Sequence, residues 1–295
     1  MRLALAALVV GTTACVAVAQ SPWRESAALE ARRTGVFEHP DLSESSGVAA
    51  SRRYQGLLWS LNDSGNGTTL FATDTLGRHR GAVQLARAAN EDWEAIAAGP
   101  CGADACLYIA DTGDNRESRP SVRLYRLPEP PVGAAPRGPV ALESLDLRYR
   151  EGPHDVEAMF VDSGGAVHLI SKGRRGRIRH WVVDTTAWRA GQAVIAARGT
   201  LPIEPDASRG RLVTDAALAR DGRRVAVRTY GEVFFFRLTA EGELVMAPGA
   251  PACALGPLEL QGEGVDWLDQ ERLVLTSEGI LGRSGTVSVV RCPRT

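Results

Sequence analysis

Two short patterns recur five times along the chain at one interval, and nothing else in the sequence limits the fold so tightly. The first is a polar or acidic residue, then Ala or Gly, then an apolar residue: Ser46-Gly47-Val48, Glu94-Ala95-Ile96, Glu157-Ala158-Met159, Asp215-Ala216-Ala217 and Glu263-Gly264-Val265. The second closes on glycine: Asp63-Ser64-Gly65, Asp111-Thr112-Gly113, Ser171-Lys172-Gly173, Thr229-Tyr230-Gly231 and Ser277-Glu278-Gly279. The first column steps by 48, 63, 58 and 48 residues and the second by 48, 60, 58 and 48, so both keep the same beat.

Between the columns lie short β-branched and aromatic runs, such as LLWSL, VRLYRL, IRHWVV and VFFFRL, separated by Gly-rich turns. That is the pattern of many short strands, and a repeat of this length holding about four strands is a propeller blade. The expected fold is an all-β propeller of five blades, with six as the alternative. The fifth unit supplies only GVDWLD, RLVLTS and TVSVVRC, while Thr34 to His39, TGVFEH, stands before the first column. Lending this segment to the last blade closes the ring and removes two open sheet edges. The expected organisation is a signal peptide over 1–19, an N-terminal extension over 20–33 and one propeller domain over 34–295.

The repeat decides how YIADTGDN, Tyr108 to Asn115, is read. An apolar run entering Asp-Thr-Gly resembles an aspartic protease motif, and Asp63-Ser64-Gly65 offers a second carboxylate. Aspartic proteases need two carboxylates sharing one proton. Asp63 and Asp111 are 48 residues apart, one repeat, which makes them equivalent positions on neighbouring blades. Asp162-Ser163-Gly164 reads as a hairpin turn. Asp111 to Asn115 also matches half of an EF-hand loop, but Val122 stands where the closing Glu belongs.

Within a blade the innermost strand and the next run antiparallel, so the start of one and the end of the other share a face. Both columns therefore gather at one mouth of the central channel. The small residue of the first column fits strands crowded at an axis. The mouth collects Glu94, Glu157, Asp215 and Glu263 with Asp63, Asp111, Asp114 and Glu278, and Glu44 and Asp155 lie near in sequence. Converging carboxylates repel one another unless donors or a cation compensate. Oxygen ligands without thiolates favour Ca²⁺ or Mg²⁺ over zinc, so the metal set expected is Glu94, Glu157, Asp215, Glu263, Asp63 and Asp111, with Ca²⁺ the cofactor it suits. Backbone capping and bridging water are the simpler use of the same side chains. The positive groups expected nearby, and the only candidates for catalysis, are Lys172, Arg228 and His154. Lys172, the sole lysine, either binds an anion or pairs with Glu157. Arg174, Arg175, Arg177 and Arg179 read as a solvated rim.

Residues 1–20, MRLALAALVVGTTACVAVAQ, read as a secretory signal peptide ending in Ala17-Val18-Ala19. Thr12 departs from a lipobox ahead of Cys15, which speaks against a lipid anchor. A secreted or periplasmic location leaves four cysteines in an oxidising compartment. Cys101 and Cys106 flank a short turn and are expected to bond, leaving Cys253 for Cys292. No other stretch reaches the length of a membrane-spanning helix, and a net charge of -1 excludes nucleic acid as the main partner. No G-x-S-x-G, Walker or H-E-x-x-H motif occurs.

The segments ESSGVAAS, NDSG, DWEAIA, YIADTGDN, LYRLPEP, DVEAM and LISKG, spread over nearly the whole mature chain, resemble secreted bacterial β-propeller proteins of the SdiA-regulated and phytase-like type. The resemblance implies a propeller fold. For the phytase branch it implies an acidic, multi-calcium funnel that hydrolyses phosphate esters; this chain has five repeats where that branch has six blades, and lacks its paired-aspartate segments. The expected function is a monomeric binding propeller whose acidic mouth takes a divalent cation, a cationic small ligand or a protein partner. The alternative is a calcium-dependent phosphoesterase or other ester hydrolase.

Overall fold

The computed structural model describes residues 23–132, 140, 142–247, 249 and 252–293, so the expected signal peptide and Cys15 lie outside the described residues. Five antiparallel sheets, one per sequence repeat, form a five-bladed propeller. The innermost strands are Ser45–Ala50, Trp93–Cys101, Val156–Val161, Val213–Leu218 and Gly262–Trp267, and each packs against the next until the fifth meets the first. Two blades carry an additional parallel strand. Gln192–Ile195 adds to Glu143–Tyr149 in blade two, and Glu25–Ala27 adds to Ala252–Ala254 in blade four.

Crowding at the axis explains the small residues. A Cβ on Gly47 would lie 3.0 Å from the Ile96 nitrogen, and one on Gly264 would lie 2.7 Å from the Val48 nitrogen. The inner strands also enter their sheets through bulges, with register shifts between Ser45 and Gly47, Trp93 and Ala95, Val156 and Ala158, Val213 and Asp215, and Gly262 and Val265. A bulge leaves one residue unpaired and re-aims its side chain. The skipped residues are Ser46, Glu94, Glu157, Thr214 and the pair Glu263-Gly264. In blade four the column position thus belongs to Thr214, not to Asp215. The Ser46 hydroxyl donates to the Glu94 carbonyl at 3.1 Å, and Thr214 donates to the Glu263 carbonyl at 2.9 Å, the same link between neighbouring blades.

The ring closes as the strand count demands: Glu30–Val36 pairs antiparallel with Thr286–Arg291 as the outer strand of blade five. It begins four residues before Thr34, inside the expected extension, because the ladder continues back to Glu30 opposite Arg291. It stops before Phe37, which is buried and packs with Leu42, Val48 and Val287. Cys253–Cys292 ties blade four to blade five beside this seam, and Cys101–Cys106 spans the blade-two hairpin. The two bonds suggest an oxidising, extracytoplasmic location. No helix among the described residues is long and apolar enough to cross a membrane.

The seam between blades five and one is a backbone contact. A Cβ on Gly35 would fall 2.0 Å from the Leu76 carbonyl oxygen. Gly35→Ala is therefore expected to push the closing strand off blade one and cost about 1–3 kcal/mol, read as a lowered melting temperature; an unchanged melting temperature would show that the closing strand bears no load.

Candidate functional site

The segment leaving each second strand returns to the loop that feeds the inner strand. The Asp63 amide donates to the Glu44 carbonyl (3.0 Å), Gly113 to Asp92 (3.1 Å), Lys172 to Asp155 (2.9 Å) and Glu278 to Gln261 (3.1 Å). These bonds bring the two sequence columns to one end of the channel.

Carboxylates converge there in two overlapping groups. One oxygen each from Asp63, Asp92 and Glu94 lie within 4.8 Å of one another, as do oxygens of Glu94, Asp155 and Glu157. The groups differ in compensation. Glu157 accepts from Lys172 Nζ at 2.6 Å, and Asp155 pairs with Arg174 and accepts from the Asp114 amide at 2.9 Å. Asp63, Asp92 and Glu94 form no ion pair among the described residues. Glu94 accepts from the Ser46 hydroxyl at 3.2 Å, and Asp63 from the Ser64 amide. Gly113 makes room for them: its Cβ would stand 2.3 Å from Glu94 Oε1 and 2.5 Å from Asp92 Cγ. That is why this glycine closes YIADTG.

Burial and mutual repulsion mark these groups. Burial, then Asp63, lifts Asp92 to about 6. Burial and the neighbouring Glu157 raise Glu94 and Glu263 well above the carboxylate range. Glu157 rises to about 7 through burial, against the pull of Lys172. Glu278 also reaches about 7 through burial, Asp63 and Glu44, while accepting from Gln261 Nε2 at 2.6 Å. Lys172 lies 5.8 Å from the Tyr230 ring centre, and its carboxylate neighbours, Glu157 first, hold it charged although burial opposes this.

Several expected site residues serve other ends. Asp215, one residue past the column, accepts from the amides of Ala216 (2.8 Å) and Val265 (2.9 Å), clamping blade four to blade five. Asp111 accepts from the Asp92 amide (3.1 Å) and from Arg119 (3.0 Å), bracing the loop that carries Asp92. Asp114 accepts from the Arg119 amide at 2.7 Å. Arg228 is wholly buried; it donates to the carbonyls of Gly264 (2.6 Å) and Thr276 (2.9 Å) and pairs with Glu259. His154 packs between Trp181 and Tyr149, with Nδ1 3.5 Å from Glu117. Of the four rim arginines, Arg174 and Arg175 pair with Asp155 and Glu117. The sequence columns passed over Asp92, two residues before Glu94 in EDWEA, because it precedes the repeat pattern; Arg119 and Glu259 lie in loops without any pattern.

No protein-family profile and no curated protein matches the sequence. The solved structures to which the chain is similar include two propeller proteins. One is virginiamycin B lyase from Staphylococcus aureus, at 10% identity and TM-score 0.43, over 88% of this chain and 73% of that one. The other is a gluconolactonase from Xanthomonas campestris, at 11% identity and TM-score 0.44, over 94% and 96%. Likeness at this level says nothing about chemistry.

The carboxylates make stability depend on pH. Asp92, Glu157 and Glu278 titrate near 6 to 7 in the fold and in the ordinary carboxylate range when unfolded. Their stabilising neutral form is fully present below that range and lost as pH rises through 7. His79, His154 and His180 are lowered by burial and act oppositely below their usual range, but Glu94, Asp215 and Glu263 add to the carboxylate side. In chelator the melting temperature is expected to be at least about 3 °C higher at pH 5 than at pH 8; the reverse order would refute this electrostatic account.

Proposed function

We propose that the protein is an extracytoplasmic binding propeller whose funnel holds a divalent cation between Asp63, Asp92 and Glu94. The observation that carries this reading is the convergence of these three carboxylates, none of them in a salt bridge among the described residues, around the gap left by Gly113. Three hard oxygen donors suit Ca²⁺. Burial without compensation raises the proton affinity of Asp92 and Glu94, and a cation would replace those protons at neutral pH. Asp155 and Glu157, already matched by Arg174 and Lys172, border the site and do not need a metal. Glu44, and Glu278 above its raised range, extend negative charge beyond it, so a cationic ligand or the basic loop of a partner would be drawn to the same mouth.

The hydrolase alternative has less support. It requires a cationic side chain able to grip the substrate anion, and Lys172 is paired with Glu157 while Arg228 is enclosed by carbonyls and Glu259.

A ligand selective for the folded state stabilises it by about 2.7 kcal/mol at a hundred times its Kd. Millimolar Ca²⁺ is thus expected to raise the melting temperature of chelator-treated protein at pH 7.5 by several degrees, and Asp92→Asn to remove that rise. If neither Ca²⁺ nor Mg²⁺ shifts the transition, and metal analysis of purified protein finds none bound, the cation reading is lost. Calcium-loaded protein is expected to turn over neither phosphate nor carboxylate esters; turnover abolished by Lys172→Ala would instead establish the hydrolase.

A further inference from the structure

The other end of the channel has opposite chemistry. There the inner strands turn into their hairpins around a throat of about 30 Å³ lined by Val48, Ala50, Ile96, Ala216 and Val265. Beside it a groove of about 680 Å³ opens between blades one and five, and Ala50, Arg52 and Arg220 line both. Five arginines face the groove: Arg32 on the closing strand, Arg52 and Arg53 on the blade-one hairpin, Arg220 on the blade-four hairpin, and Arg272 on blade five.

Among the described residues only Arg272 of the five forms a salt bridge, with Asp269 at 2.7 Å. Arg52 donates to the Ala98 carbonyl (2.8 Å), Arg53 to the Glu129 carbonyl (2.8 Å), and Arg220 crosses from blade four to the Ser51 carbonyl (2.9 Å). Those carbonyl bonds fix the guanidiniums without cancelling their charge, which Asp266 offsets in part for Arg52 and Arg220, and Glu129 for Arg52. Burial, and Arg220 beside it, lower the basicity of Arg52, while Asp266 opposes. The two nearby acids take hydrogen bonds from neutral donors and form no salt bridge with these arginines among the described residues. Asp266 accepts from the amides of Ala50 and Trp267 (both 2.6 Å), and Glu129 accepts from Trp59 Nε1 (2.9 Å), the Ser51 hydroxyl and the Arg52 amide (3.3 Å). Glu30, exposed, is the one acidic side chain among the residues lining the groove.

We propose that this groove binds a small, multiply charged oxyanion, gripped by Arg32, Arg52, Arg53 and Arg220. Guanidinium forks match carboxylate and phosphate oxygens in pairs, and the volume is that of a small-molecule site. Four guanidiniums outside any salt bridge among the described residues, held by three separate blades, favour a ligand with several anionic groups over a single carboxylate. The site lies at the opposite end of the channel from the carboxylate funnel and stands independently of the cation reading.

Calorimetric titration of the full protein with citrate and with pyrophosphate, each at pH 7.5 in 150 mM salt and without divalent metal, tests this. At least one probe is expected to bind saturably, citrate identifying a polycarboxylate ligand and pyrophosphate an oligophosphate. Arg52→Gln/Arg220→Gln is expected to weaken binding at least tenfold. Arg32→Gln, which removes no side-chain hydrogen bond or salt bridge among the described residues, is expected to weaken it at least threefold. Arg177→Gln on the opposite face and Asp92→Asn are expected to leave it unchanged. Should the double variant fail to fold, Arg32→Gln decides alone. Saturable binding of neither probe, Arg32→Gln binding as wild type, or equal weakening by Arg177→Gln would each overturn the proposal.

Discussion

Five inner strands meeting around one axis are the constraint on which the molecule depends. They pack so closely that Gly47 and Gly264 admit no side chain, and each strand enters its sheet through a bulge. The bulges follow from the crowding, since an extra unpaired residue bends a strand and strengthens its twist. They also decide which side chains turn toward the neighbouring blade. In blades two, three and five the bulge holds a glutamate; in blades one and four it holds a hydroxyl that bonds the next blade's backbone.

That geometry brings acidic groups nearer than they would settle in water. Part of their charge is met by Lys172, Arg174 and backbone amides, so that Glu157, Asp155 and Asp215 have structural partners. Asp63, Asp92 and Glu94 are left with weaker donors, and the raised proton affinity of Asp92 and Glu94 is the electrostatic expression of that deficit. Uncompensated buried charge costs stability, which makes the three-carboxylate group costly to the fold unless a proton or cation fills it.

The two ends of the channel divide the chemistry of a chain whose net charge is only -1. Carboxylates gather where second strands end, and arginines where hairpins turn, with a narrow throat between. Arg220 and Asp215 illustrate the economy of the arrangement: five residues apart on one blade, each reaches across to another blade's backbone at its own end of the channel.

Much of this was legible in the sequence. The interval of the two columns specified five blades, their shared face and the carboxylate-rich mouth; the unmatched strand in the last repeat required an N-terminal partner; and cysteine spacing foretold both disulfides. Hydrophobic alternation and repeat length report these because they are properties of single strands and of their order. The finer site was not legible. A bulge shifts one residue without changing composition, so Thr214 took the position assigned to Asp215. Asp92 joined Glu94 because a loop returns beside Gly113, and Arg228 was withdrawn from the mouth by carbonyls of another blade. The chain alone determined that acidic residues would meet at the axis; only the packing of blade against blade decided which of them are neutralised and which three are left facing one another, because compensation also depends on contacts such as Asp155 with Asp114 and Asp215 with Val265, 41 and 50 positions apart in the chain.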